Sequence, residues 1–276
     1  MLTRSALVVA HPDDEALWFS SIAGKVERLI VCFLEVDGRP DVTEGRRRAA
    51  ASFPLAHTEF LGLKESGVFN GADWLIPVTT EYGLEVSRRP RTLRTFHGER
   101  YLQNYAVLRE SLLSRLQGCR NVFTHNPWGE YGHEEHVQVY RAVASAQRVL
   151  GFDLWFSNYG SNRSHNLMLR YLTEFRSDYV TFETNRDLAT SLEELYRAHG
   201  CWTWPYDDYQ QFTHECFIRA KDTAPGAEDG RHGHLFSLNF LRMEVPWEEP
   251  QEERPGLVGR VTRKLRAIGG ARRLHR

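Results

Sequence analysis

Apolar residues in the first two-thirds of this chain follow two alternating patterns. Some form short, nearly continuous runs rich in β-branched residues, and others recur at helical spacing. "SALVVA" (Ser5 to Ala10) predicts a strand, Glu15 to Val26 a helix, and "RLIVCFLEV" (Arg28 to Val36) a strand apolar enough to be covered on both faces. The unit then repeats. Thr43 to Ser52 reads as a helix, His57 to Leu63 as a strand, Glu99 to Leu116 as an amphipathic helix, Asn121 to Asn126 as a strand, His136 to Leu150 as a helix and Asp153 to Tyr159 as a strand. Such alternation predicts an α/β fold, a Rossmann-like three-layer α/β/α arrangement around a mostly parallel sheet, with the active site at the carboxyl ends of the strands. Lys64 to Gly98 lacks a clear period and reads as an insertion or rim loop. The pattern is that of one domain over residues 1–255, followed by a short basic tail over 256–276.

Composition narrows the function classes. At 276 residues, 41% of them hydrophobic and 12% aromatic, the chain is long enough to bury a full core. Lys and Arg (35) balance Asp and Glu (36) to a formal net charge of −1, so nucleic acid is not an expected partner. The N-terminal "ALVVA" runs directly into His-Pro-Asp-Asp-Glu, with no long apolar stretch to act as a leader, and a cytoplasmic protein is expected. Cys32, Cys119, Cys201 and Cys216 are scattered, which fits buried thiols better than a disulfide framework. No G-x-G-x-x-G, no G-x-x-x-x-G-K-[ST] and no G-x-S-x-G is present, so dinucleotide binding, a P-loop and a serine nucleophile elbow are unsupported.

Two polar clusters stand at the carboxyl ends of predicted strands. The first is "AHPDDE" (Ala10 to Glu15), where three adjacent carboxylates repel one another unless a cation or hydrogen-bond donors neutralise them. Taken alone, Asp13 and Asp14 read as helix caps with Glu15 complementing the helix dipole. The second cluster is "YGHEEH" (Tyr131 to His136), in which His133 and His136 share one face of a helical turn. Together they read as a joint metal site. Imidazole and carboxylate donors without thiolate suit Zn²⁺, which at catalytic sites takes three protein ligands and leaves a fourth position for water. A spare carboxylate beside the ion can move the proton of that water, and a spare histidine can donate to an oxyanion, so the set points to an amide or ester hydrolase.

The paired motifs, over roughly Ser5 to Leu150, resemble the LmbE-like or PIG-L family of zinc-dependent N-acetylglucosaminyl deacetylases. The resemblance implies one zinc per chain held by His11, Asp14 and His136, with Asp13 as general base, His133 stabilising the oxyanion and Tyr131 contacting the reacting carbonyl. It also implies a substrate-side histidine at a late helix end, which His199 matches. Where the family often carries an Asp after the third strand, this chain has Lys64-Glu65, and Arg46, Arg47 and Arg48 compete for the place of a family arginine near the substrate.

Downstream, "HGCWTWPYDDY" offers Trp202 and Trp204 as flat faces for a sugar. The segment Leu257 to Arg276 carries seven Lys/Arg and no acid, with Leu257, Val261, Leu265 and Ile268 at nearly helical spacing. It reads either as a solvated end or as an amphipathic segment for an anionic membrane surface. The expected activity is removal of acetyl from an N-acetylated amino sugar. The alternatives are a metal-dependent esterase or phosphoesterase, and a catalytically silent glycan-binding module.

Overall fold

The computed structural model describes residues 1–86, 97–171, 175–206, 209–220 and 239–242. The basic tail and its apolar stripe lie outside the described residues. In chain order the first half comprises β1 (Ser5–Val9), α1 (Asp14–Leu17), α2 (Ser20–Ala23), β2 (Arg28–Glu35), α3 (Pro40–Ala51), β3 (Thr58–Lys64), β4 (Thr79–Thr80) and β5 (Gly83–Leu84). The second half comprises α4 (Gly98–Arg115), β6 (Asn121–Thr124), α5 (Glu134–Leu150), β7 (Asp153–Ser157), β8 (Tyr159–Ser161), α6 (His165–Tyr171), β9 (Phe175–Glu183), α7 (Arg186–Ala198), β10 (His214–Ala220) and β11 (Asn239–Leu241).

The central sheet has seven strands in the order β3-β2-β1-β6-β7-β10-β9. The first five are parallel, with Val8 opposite both Ile30 and Thr124, and Thr124 opposite Phe156. Strands β10 and β9 close one edge in antiparallel pairing. Alternate residues of β1, β2 and β6 (Ala6, Val8, Ile30, Cys32, Val122) pack against Leu108, Leu112, Val139 and Val143 of α4 and α5. The opposite face carries Phe123 and Phe217, whose rings lie 5.3 Å apart, and Phe19 above them. This is the expected α/β arrangement: a mostly parallel sheet between helical layers. Among the described residues no helix is long and apolar enough to cross a membrane.

Local differences from expectation have physical causes. The single helix expected over Glu15 to Val26 is instead two separate turns, because Trp18 and Phe19 are both fully buried and break the helical path to fill the core. The strand expected over Asp153 to Tyr159 is interrupted at Asn158, whose amide donates to the carbonyl of Cys216. The segment after Lys64, read as an insertion or rim loop, carries a small hairpin of β4 and β5 outside the main sheet.

Topology places the site. From β1 the chain steps outward through β2 and β3, then crosses back to set β6 on the other side of β1. Neighbouring strands whose onward connections run in opposite directions leave a crevice at their carboxyl ends. "HPDDE" leaves β1 and "THNPWGEYGHEEH" leaves β6 at that crevice.

Candidate metal centre

The turn after β1 is strained at one residue. Asp13 has φ 112° and ψ −27°, a left-handed conformation, and makes no side-chain cap to α1. A non-glycine residue held there stores about 1–3 kcal/mol and persists where its surroundings over-determine it. Capping is therefore not what this carboxylate does. It accepts a hydrogen bond from Thr203 Oγ1 at 2.8 Å, while the carboxylate of Asp14, turned the other way, accepts from the His11 amide at 2.6 Å and from Trp18 Nε1 at 3.2 Å. Glu15 is bolted to the hydroxyl of Tyr196 on α7, away from the histidines.

The second turn is built on glycine. Gly132 has φ 97°, and a β-carbon there would meet the Arg163 side chain at 2.9 Å. It lets the chain swing His133 to the N-cap of α5, where Nδ1 accepts from the Glu135 amide at 3.1 Å. A neutral His133 therefore carries its proton on Nε2, the nitrogen left free to donate.

Between the two turns, His11 Nδ1 and His136 Nε2 are 3.3 Å apart, His11 Nδ1 and an Asp14 oxygen 3.6 Å, and His136 Nε2 and the other Asp14 oxygen 3.2 Å. Three ligands of a tetrahedral ion with bonds of about 2.0 Å lie about 3.3 Å from one another. The donor set fits a small divalent cation. Three groupings place their donor atoms within 4.8 Å of one another: His11 with His133 and His136, Asp14 with His125 and His136, and His11 with Glu65 and Glu135. The second and third are weakened by prior engagement. His125 Nε2 accepts the Ala10 amide at 2.9 Å, and His11 Nε2 faces Glu135 at 2.9 Å. His136 is common to the first two groupings, with His11 in one and Asp14 in the other.

Burial shapes the charges. His11, Asp13, Asp14 and His136 are buried, while Tyr131 and His133 are half-buried on the open side. Burial opposes charge on His11, yet hydrogen bonds to Asp14 and Glu135, with Glu65 nearby, carry it up to about 10. Burial and the adjacent Asp14 push Asp13 up to about 6, and Arg46 moderates the rise. Desolvation opposes the Asp14 carboxylate, but His136 and His125 hold it well below its ordinary range. Burial and the neighbouring His11 and His136 keep His133 neutral, and burial beside Asp14 and Asp13 keeps Tyr131 a phenol.

The structure separates the remaining candidates. Of the three arginines, Arg46 is buried and pairs with Glu65, whereas Arg47 and Arg48 lie exposed on α3. Glu65, standing where an Asp was looked for, lies 3.8 Å from His11 Nε2. Trp204 packs on Tyr131 with ring centres 5.2 Å apart and on Trp18 at 5.1 Å, which puts it at the site. Trp202 stacks instead on Tyr196 and Arg197, and His199 turns its ring toward Ser52 at the end of α3. Neither joins the histidine cluster. The insertion does reach it: Phe69 stacks on His133 at 4.9 Å, and the Ser66 amide donates to Glu135.

His125, Glu130 and Thr203 were not read from the sequence. His125 had a signal, since it too ends a predicted strand beside the second motif. Glu130 lies inside "GEYGH" but is informative only once its ring partners are known, and Thr203 is brought in by tertiary packing alone.

No protein-family model matches the sequence, and a search of curated proteins found no match. Among solved structures, the chain is similar to the antimicrobial A40926 pseudoaglycone deacetylase, with TM-score 0.50 and 12% identity over 82% of this chain and 100% of that one. The zinc-inhibited form of a teicoplanin deacetylase aligns with TM-score 0.47 and 10% identity over 80% of this chain and 100% of that one. The first of these likenesses shows that the chain shares the fold of a solved deacetylase.

Proposed function

We propose that this chain is a zinc-dependent amidohydrolase of the LmbE-like type that removes the acetyl group from an N-acetylated amino sugar and releases acetate. One observation carries the reading. A carboxylate held in a strained turn, Asp13, stands beside His11, Asp14 and His136, whose ring nitrogens and carboxylate oxygens approach one another to 3.2–3.6 Å, with the neutral donors Tyr131 and His133 alongside. The shared motifs and the fold of the A40926 pseudoaglycone deacetylase support it.

When bound, zinc supplies Lewis acidity at the amide carbonyl and makes water acidic enough to lose a proton near neutral pH. His11, Asp14 and His136 would hold the ion. Asp13, with its pKa raised toward 6, takes the proton from water as oxygen attacks the carbonyl carbon, and returns it to the nitrogen as the C–N bond breaks. The carbonyl oxygen gains negative charge in that step, and Tyr131 Oη and His133 Nε2 donate to it. The amine leaves neutral and the acetyl group leaves as acetic acid, which gives its remaining proton to solvent to become acetate. Trp204 and Tyr131 offer aromatic faces to the sugar ring, and Arg46 with Glu65 offers polar partners to its hydroxyls.

The test is acetate release from a panel of N-acetylated amino sugars by zinc-loaded and chelator-treated protein. Zinc-dependent release from at least one member is expected. Release that survives chelation, or cleavage of acetyl esters with none of amides, would overturn the reading.

A further inference from the structure

Glu130 places one carboxylate oxygen against the Nδ1 atoms of two imidazoles. Its Oε2 lies 2.9 Å from His125 Nδ1 and 2.8 Å from His136 Nδ1, and it is wholly buried. Its Oε1 is occupied as well, accepting from the Asn126 amide at 3.0 Å and from the Ser157 hydroxyl. The backbone of Glu130 is in the left-handed region, with φ 50°, which a side-chain-bearing residue adopts only when held there. Two bonds hold it: the Glu130 amide donates to Asn126 Oδ1 at 2.9 Å, and the Ser164 hydroxyl donates to its carbonyl at 2.6 Å. The fold thus maintains a strained residue whose side chain faces only donors.

We propose that Glu130 is a positioning residue for the metal centre, sharing one carboxylate between His125 and His136 so that His136 keeps its proton on Nδ1 and turns Nε2 toward Asp14 and an incoming cation. This rests on the metal reading above. The His125 side of the pair supports the assignment independently. His125 Nε2 lies 2.9 Å from the Ala10 amide and 3.2 Å from an Asp14 oxygen; where it accepts the amide, the shorter of the two contacts, a neutral His125 has its proton on Nδ1, facing Glu130. With centroids 3.9 Å apart and planes 25° from parallel, the two rings stack, and Glu130 sets both at once. A carboxylate on the outer nitrogen of a ligating histidine fixes its tautomer and strengthens it as a donor, and losing such a partner lowers metal affinity about 10–100-fold.

An amide at this position cannot serve all four donors. In Glu130→Gln, one orientation sets the NH₂ against the Asn126 amide, and the other presents it to the two ring nitrogens and drives the His136 proton to Nε2, where the cation should sit. The experiment compares full-length wild type, Glu130→Gln and Glu130→Asp by three measurements. Zinc affinity is read by competition with a chromophoric chelator. The tautomer of His136 in zinc-free, histidine-labelled protein is read from long-range proton–nitrogen correlations and assigned by the signal lost in His136→Asn. Thermal melting reports folding.

The expected result is a cooperative melt for all three, a shift of the His136 proton from Nδ1 toward Nε2 in Glu130→Gln with zinc affinity down about 10–100-fold, and partial recovery in Glu130→Asp. Wild-type tautomer and wild-type affinity in Glu130→Gln would overturn the proposal. If Glu130→Gln does not fold, Glu130→Asp carries the test, and unchanged affinity and tautomer there overturn it equally. A wild-type protein that binds no zinc would sink the metal reading, and the tautomer measurement would still decide the role of Glu130 on its own.

Discussion

The side of the site nearest the strands and the side nearest solvent are bonded differently. Beneath the crevice, both nitrogens of His11, His125 and His136 and both oxygens of Asp14, Glu130 and Glu135 have partners within the buried network. At the rim, Nε1 of Trp204 and Nε of Arg163 are buried with no hydrogen-bond partner among the described residues. Farther along the insertion that reaches His133, Leu75 and Ile76 are 65% and 68% exposed, apolar side chains with little packed over them. A cation tolerates little error in its donors, so the inner side is satisfied before anything binds.

The sharpest way to break this comparison is to cut the inner side. His136→Ala removes a donor and frees the Nδ1 partner of a buried carboxylate, so zinc content should fall from about one per chain to near none, with activity lost. Glu15→Ala should leave zinc content close to wild type, because Glu15 is bonded to Tyr196 rather than to the cluster. Metal analysis of both purified variants decides. Equal zinc in wild type and His136→Ala would mean the ion sits elsewhere.

Next in size is a change that spares the ion. Asp13→Asn keeps the bond from Thr203 and removes the basic oxygen, so turnover should fall about 10²–10⁴-fold with zinc retained. Single-turnover rates with matched metal content make the comparison, and a loss below tenfold would exclude Asp13 as the base.

These predictions rest on residues that were legible in the sequence for a physical reason. His11, Asp13 and Asp14 lie within one turn, and His133 and His136 within another, so each half of the site is a local pattern. Parallel pairing of β1 with β6 then joins the halves; the alternation of apolar runs predicts a mostly parallel sheet, while the crossover that makes these two strands neighbours is seen only in the fold. What escaped was tertiary. Nothing in "RRR" distinguishes Arg46 from its neighbours until α3 turns one of them inward to Glu65. Trp202 and Trp204 look alike in sequence, yet only Trp204 reaches Tyr131. The antiparallel β9 and β10 follow a region whose apolar pattern gives no clear alternation, and their pairing depends on β7 already being in place.

A third prediction concerns stability away from the metal. Burial pushes Glu215 up to about 7, although Ser20 and Ser21 donate to its carboxylate. The folded state therefore binds this proton more tightly than the unfolded chain, whose value is 4.5. Its contribution is fully present below about pH 4.5 and is lost as pH rises through about 7, a change of order 3 kcal/mol. Urea midpoints measured from pH 4.5 to pH 8 should decline more steeply for wild type than for Glu215→Gln. Parallel curves would show that Glu215 titrates alike in both states.

The smallest expected effect sharpens the rim half of the comparison. Trp204 meets Trp18 and Tyr131 at the site and keeps an unpartnered Nε1, whereas Trp202 has the same unpartnered atom but packs on Tyr196 and Arg197. If the buried, unpartnered donor at Trp204 turns to meet the substrate, Trp204→Phe removes one hydrogen bond worth about 0.5–1.5 kcal/mol, raising KM a few-fold to about tenfold with kcat nearly unchanged. Trp202→Phe should leave both constants within about twofold, since its indole faces α7. Neither replacement strands a buried partner, so melting temperatures should move little. Steady-state kinetics on the best substrate from the acetate-release panel compares the two. Equal changes in KM would show that the two tryptophans act as one packed wall, and a fall in kcat for Trp204→Phe would mean that its packing on Tyr131 holds the oxyanion donor in place.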